Sequence, residues 1–144
     1  MAKTAADARR MYEAAVATGK KLTIGYQHRQ KPQSIYAKRY IESGALGEIY
    51  YANCYAIRRR GTPNWGVFLN EEEQGGGPLI DIGTHALDLT LWMMDNYKPK
   101  MVVGTKYKKL GDQKNTANAW GDWDPEKYTV EDSAFGCVVM ENGA

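Results

Sequence analysis

Residues 75–94, GGGPLIDIGTHALDLTLWMM, set the strictest condition on any fold of this chain. Three glycines and a proline precede the most apolar run in the sequence, and that run carries Asp81, His85 and Asp88. If 79–94 is helical, these three residues stand at i, i+4 and i+7, one stripe on one face, and Trp92 continues it. Ile82, Ala86, Leu89 and Met93 flank one side of the stripe, and Leu87, Leu91 and Met94 the other. A helix apolar nearly all round is a buried helix, and carboxylates buried on it need partners or a cavity.

An Asp one turn before a His can hold the imidazole's orientation and tautomer and stabilise its protonated form, which makes His85 a candidate general base for a hydroxyl proton. The glycines at 75–77 allow close backbone approach to a ligand, and Gly83 leaves room beside the helix. Spacing alone keeps other readings open. The same stripe serves as a satisfied structural network, and Asp and His at i, i+4 can share a metal, although no third ligand stands at recognisable spacing.

The rest of the chain reads as alternating helix and strand. Thr4 and Asp7 cap a helix that carries Ala8, Met11, Tyr12, Ala15 and Val16 at helical spacing, and Gly19 ends it. LTIGY, residues 22–26, reads as a buried strand ending at Gln27-His28-Arg29-Gln30, a group placed to touch a ligand or to sit in a solvated loop. Pro32 starts a second helix to about Ser43, with Gly44 as its stop. EIYYANCYAIRRR then reads as a strand with Ile49, Tyr51, Tyr55 and Ile57 on one face.

Residues 61–78 form a glycine- and proline-rich loop of the kind that is more often functional than accidental. In it Trp65 is a lid residue or a core plug, and Glu71 to Glu73 face solvent. MVVGTKYKKL and DSAFGCVVMENGA read as further strands, separated by a polar connection over 111–130 with Trp120 and Trp123. Asn142-Gly143 signals a type I′ hairpin turn just before the last residue, and the first helix and strand lack the strand that opens a βαβ unit. The expectation is an internal piece of a larger protein.

Composition excludes some functions. Lys and Arg outnumber Asp and Glu by 19 to 17, a net charge of +2, so charge predicts neither a nucleic-acid nor a membrane partner, and Arg58 to Arg60 read as a solvated strand end. With 43% hydrophobic and 25% charged residues the chain has a globular composition. Cys54 and Cys137, far apart and each in a strand-like segment, are expected as buried free thiols, although a disulfide stays open. The amino terminus has no signal-peptide core and no apolar run spans a bilayer, which makes a cytoplasmic location the default.

The stretch GGGPLIDIGTHALD resembles the Gfo/Idh/MocA (glucose-fructose oxidoreductase, inositol dehydrogenase, rhizopine catabolism) family motif G-G-G-x-L-x-D-x-G-x-H-x-x-D at every fixed position. YQHRQKP, ESGALGEIYYANC, the loop with Arg and Trp-Gly, and the late D-S-A…NGA strand are similar to family features in the same order. The resemblance implies an α/β (α+β) fold: residues 1–30 as the terminal helix and strand of a Rossmann domain, and 31–144 as part of a carboxyl-terminal domain. That domain has an open mixed sheet with helices on one face, binds substrate and mediates homo-oligomerisation.

It implies an NAD(P)-dependent oxidoreductase acting on a sugar, cyclitol or polyol, with His85 as acid/base and Asp81 as its partner. Arg58, Trp65, Gly76 and Gly77 would line the substrate pocket, Gln27 and Arg29 would border the nicotinamide, and no metal is implied. The family's catalytic Lys in Glu-Lys-Pro is absent, as is any G-x-G-x-x-G after a strand, so this chain alone is expected neither to hold dinucleotide nor to turn over substrate. The rival expectation is a non-catalytic module for sheet-mediated association or sugar binding.

Overall fold

The computed structural model describes residues 2–114 and 116–144. Helix α1 spans Ala5–Thr18, capped by the Thr4 hydroxyl, which accepts the Asp7 N–H, and closed by Gly19 at φ 64°. A 3-10 turn, Gln27–Gln30, runs straight into α2, Pro32–Glu42, with Pro32 in its first turn. The short helix α3, Glu71–Gln74, ends at Gly75 with φ 91°. A single π turn, Leu79–Gly83, leads into α4, Thr84–Met94. Strands β1, Pro99–Tyr107, and β2, Ser133–Met140, complete the order.

β1 and β2 pair antiparallel, from Pro99 opposite Met140 to Tyr107 opposite Ser133, with an irregularity between Pro99 and Met101. Gly104 faces Gly136, and a Cβ on Gly136 would stand 2.9 Å from the Val103 carbonyl oxygen, so side-chain-free residues meet at mid-ladder. After β2 the chain turns through Glu141 and Asn142 to Gly143 at φ 91°, the Gly143 N–H bonding Met140 O at 3.0 Å and the Met140 N–H bonding Ala144 O at 2.8 Å. Asn142 does not take a positive φ, so this is a three-residue loop with glycine at the left-handed position in place of the expected type I′ turn.

Two expected strands are not strands. Residues 22–26 and 48–57 make no ladder with any described segment, and the sheet is two-stranded. β propensity specifies a backbone that fits a sheet, but the ladder needs a neighbour. Tyr51, Tyr55 and Ile57 accordingly stand exposed. Cys54 and Cys137 are free, as expected, yet both are exposed, because the segments carrying them are not covered.

Among the described residues the buried large apolar side chains are few: Tyr128, Val130 and Met140. Tyr128 lies in the 111–130 connection, expected to be merely polar, where it packs on Gly111, while Met140 ends β2 opposite Pro99. Trp123 meets Tyr128 edge-on at 5.4 Å and donates its indole N–H to Gly111 O at 3.0 Å. Asp132 organises the return, one carboxylate oxygen accepting the backbone N–H groups of Lys109, Leu110 and Gly111 at 2.6, 2.5 and 3.1 Å. The accessible surface is 10678 Å², against about 7,500 Å² for a compact monomer of this mass. Much of the chain is uncovered: α1 buries no residue, and all nine of β1 are exposed. No helix among the described residues is long and apolar enough to cross a membrane.

Candidate functional site

The stripe on the 79–94 segment is met residue by residue from other parts of the chain. Gly83 N–H bonds Pro78 O, five residues back, at 2.7 Å, and Gly83 has no side chain to crowd the Pro78 oxygen, which would lie 3.1 Å from a Cβ. The Thr84 hydroxyl donates to Ile80 O and Asp81 O at 3.1 and 3.0 Å, steadying the junction between π turn and helix.

Asp81, in the π turn, takes Arg58: its Oδ2 lies 3.4 Å from Arg58 Nη1. Asp88, one turn beyond His85, takes Arg29, whose Nε donates to Oδ2 at 2.8 Å while Nη2 reaches Oδ1. This two-point pair is half-buried, and the hydrogen bond to Asp88 raises the Arg29 guanidinium above its ordinary pKa. Trp92 receives two cations on its ring, Arg29 at 5.8 Å and Lys38 at 5.7 Å. Lys38 is itself buried and lies 3.5 Å from Glu42.

His85 is met by aromatic rings. The His28 ring stands edge-on at 5.5 Å between centroids, with an interplanar angle of 75°, and Tyr26 edge-on at 5.9 Å. Nδ1 of His85 is buried and has no hydrogen-bond partner. Burial, then the nearby Lys31 and His85, hold the His28 imidazole below the usual histidine range. The expected partnership of Asp81 with His85 is not made here, since the Asp81 carboxylate turns to Arg58.

The remaining expected residues divide. Arg58 and Trp65 come together through Trp120: the Arg58 guanidinium lies 5.4 Å from the Trp120 ring, and Trp65 meets Trp120 edge-on at 5.2 Å. Both tryptophans are half-exposed. Asn118 holds this corner by accepting the Thr62 N–H at 2.9 Å and donating to Thr62 O and Gly121 O, and Asn64 donates to Trp120 O at 2.9 Å. Gly76 and Gly77 are buried, and the close approach they permit is that of the chain's own Glu131, whose carbonyl oxygen would lie 2.0 Å from a Cβ on Gly77. Gln27 is exposed on the 3-10 turn.

Sequence reasoning missed Tyr26 and Lys38 as neighbours of the stripe and Trp120 as the neighbour of Arg58. The expected buried helix is not one: no residue of 79–94 is buried and Leu79 and Leu87 are exposed, because few other elements cover it. A usable signal was still present for the cations, because acids on an apolar helix need positive partners and Arg29 and Lys38 stand on the adjoining segments. A cleft of about 280 Å³ between α2, residues 49–53 and α4 is lined by Ile41, Leu89 and Met93 among others and contains none of Asp81, His85 and Asp88. Among the described residues no three His, Cys, Asp or Glu side chains stand together in a way that could hold a metal ion.

Residues 35–144 match the family model described as the GFO/IDH/MocA C-terminal domain. The chain is 42% identical over 142 residues to D-glucoside 3-dehydrogenase of Escherichia coli (strain K12), a match covering 99% of this chain and 40% of that protein. Its fold matches aldose-aldose oxidoreductase from Caulobacter crescentus, solved with glycerol, with TM-score 0.74 and 26% identity over 100% of this chain and 39% of the other. Levoglucosan dehydrogenase, solved with NADH and levoglucosan, shares the fold at TM-score 0.71 and 22% identity, over 99% of this chain and 37% of that one. The chain thus spans about 40% of the length of the Escherichia coli protein. On the family match over 35–144 and the 42% identity, the chain belongs to the GFO/IDH/MocA family of oxidoreductases.

Proposed function

We propose that this chain supplies the substrate side of an NAD(P)-dependent oxidoreductase that moves hydride between nicotinamide and a hydroxyl-bearing carbon of a sugar, cyclitol or polyol, with His85 as the acid/base. The observation that carries the reading is the buried, unpartnered Nδ1 of His85 on a segment whose two acids, Asp81 and Asp88, are each paired with an arginine. A buried polar atom without a partner is costly, and a substrate hydroxyl would relieve that cost. Arg58 and Trp65, joined through Trp120, stand beside Asp81 as the proposed contacts to substrate. Asp81 acts in this reading as the anchor of Arg58, with its effect on His85 realised once substrate is bound.

The chain's own residues do not form a dinucleotide cradle: no glycine fingerprint follows a strand, and the Arg29 guanidinium is engaged by Asp88. Of the two residues proposed to border nicotinamide, Gln27 has the exposed side chain. When bound, nicotinamide accepts or gives the hydride. His85 takes the hydroxyl proton in oxidation and returns it in reduction. The proposed location is the cytoplasm, and the proposed domain limits are 1–30 and 31–144.

His85→Ala in the complete protein containing these residues is expected to abolish hydride transfer and to leave NAD(H) affinity largely intact. Retained turnover near neutral pH overturns the reading. A second reading, sheet-mediated association without catalysis, is favoured by one observation: Val102, Val103 and Phe135 on the two strands are 67%, 59% and 62% exposed. The His85→Ala test separates the two, because only the catalytic reading requires the imidazole for turnover.

A further inference from the structure

We propose that the 3-10 turn Gln27–Gln30 is the positioning element of His85: His28 packs its ring on the His85 ring while Arg29 locks onto Asp88, one helical turn further along α4. The inference rests on the acid/base reading of His85 and adds to it the residues that aim the imidazole.

Two consecutive residues of the turn grip two residues of the helix. The ring contact has centroids 5.5 Å apart at 75°. The ion pair spans 59 positions of sequence and is made at two points, with the Asp88 side chain 10% exposed. A planar fork on a carboxylate fixes direction as well as distance, and the Arg29 guanidinium also lies 5.9 Å from the Tyr26 ring, which itself meets His85 edge-on. Tyr26, His28 and Arg29 therefore form one rigid border around the imidazole.

The contact has a chemical consequence. His85 Nδ1 has no hydrogen bond to orient it, so ring packing is what restrains the imidazole plane. An uncharged His28 can do this without placing a second cation against a His85 that accepts a proton, and burial favours that uncharged form. Nothing in the arrangement asks His28 to move a proton. It is a positioning residue, and so are Arg29 and Asp88.

The test uses the complete protein, steady-state kinetics with NAD(H), and thermal melting. His28→Ala and Asp88→Asn are each expected to lower kcat by ~10- to 100-fold, the size of loss a misaimed acid/base produces, with KM and NADH affinity changed by less than ~3-fold. His28→Phe, which keeps an aromatic ring and loses both nitrogens, is expected to recover most of the kcat lost in His28→Ala. That rescue separates aiming from general stability, since a purely structural loss would follow the melting temperature. A kcat within ~2-fold of the parent in His28→Ala overturns the proposal. His28→Phe as slow as His28→Ala also overturns it, because the nitrogen and not the ring would then matter. Turnover retained by His85→Ala is a different failure, that of the acid/base reading itself.

Discussion

Gly77 and Glu131 meet backbone to backbone: a Cβ on Gly77 would stand 2.0 Å from the Glu131 carbonyl oxygen. The segment leading into β2 thus lies directly on the glycine run that precedes the π turn. Gly77→Ala is expected to cost on the order of 3 kcal/mol or to prevent this docking, because carbonyl and Cα cannot both stay in place. Gly76→Ala comes closest to the end of the Ile80 side chain, at 3.2 Å, with Glu131 Oε1 at 3.6 Å, and is expected to cost less because side chains rather than backbone must give. Chemical denaturation of the two variants checks the order, and equal losses would show that the Glu131 contact does not constrain Gly77.

Asp132 is expected to be the most sensitive acid in the fold. Its Oδ2 gathers three backbone N–H groups from 109–111, and its Oδ1 accepts the Ser133 hydroxyl at 3.0 Å. Asp132→Ala leaves the buried Gly111 N–H without its acceptor and loses the charge-assisted bonds to the two exposed donors, at a cost of about 1–3 kcal/mol. A melting temperature equal to that of the parent would overturn this.

Alkaline pH is expected to weaken the fold through Tyr128. Burial, and then the charge of Asp132, push its phenol up to about 12 from 10.0. The unfolded chain loses this proton first, so the folded state binds more protons across that interval. The stabilising contribution is complete below pH 10.0, declines as pH rises, and is gone once pH passes about 12. Melting curves between these limits should fall more steeply for the parent than for Tyr128→Phe. Parallel curves would exclude Tyr128 as the source.

The uncovered sheet face predicts association of the isolated chain. Val103 lies opposite Cys137 and Thr105 opposite Phe135, which puts Val103, Cys137 and Phe135 on one face by strand alternation. Light scattering should show concentration-dependent oligomers, dispersed by Val103→Lys combined with Phe135→Lys. Cys137 should react with a thiol reagent quickly in dilute chain and slowly in concentrated chain. A parent that stays monomeric at all concentrations would count against the sheet as an interface.

NADH is not expected to bind the isolated chain measurably, because no glycine turn is present to receive a pyrophosphate. Isothermal titration checks this, and saturable binding would require a cofactor site elsewhere among these residues.

Much of the local structure is legible in the residues. Thr4, Gly19, Pro32 and Gly44 mark the helix limits, because caps and stops act through their own backbone and nearest neighbours. The α-helical spacing of His85 and Asp88 holds in α4, whereas Asp81, expected on the same helix, lies in the π turn Leu79–Gly83, whose wider winding changes its angle to the other two. The two missing strands show where local reading ends: LTIGY and EIYYANCYAI have the right side chains, and no described segment offers them a ladder.

The sequence by itself determined that an apolar segment carries Asp81, His85 and Asp88 at spacings of four and three, and that such groups need partners. Only the tertiary structure decided which: Arg58 for Asp81, Arg29 for Asp88, and the rings of His28 and Tyr26 for His85. Spacing states a need because it is a property of one helix. The partners come from segments as many as 59 positions away, and their choice follows from chain path and packing, which no local pattern encodes.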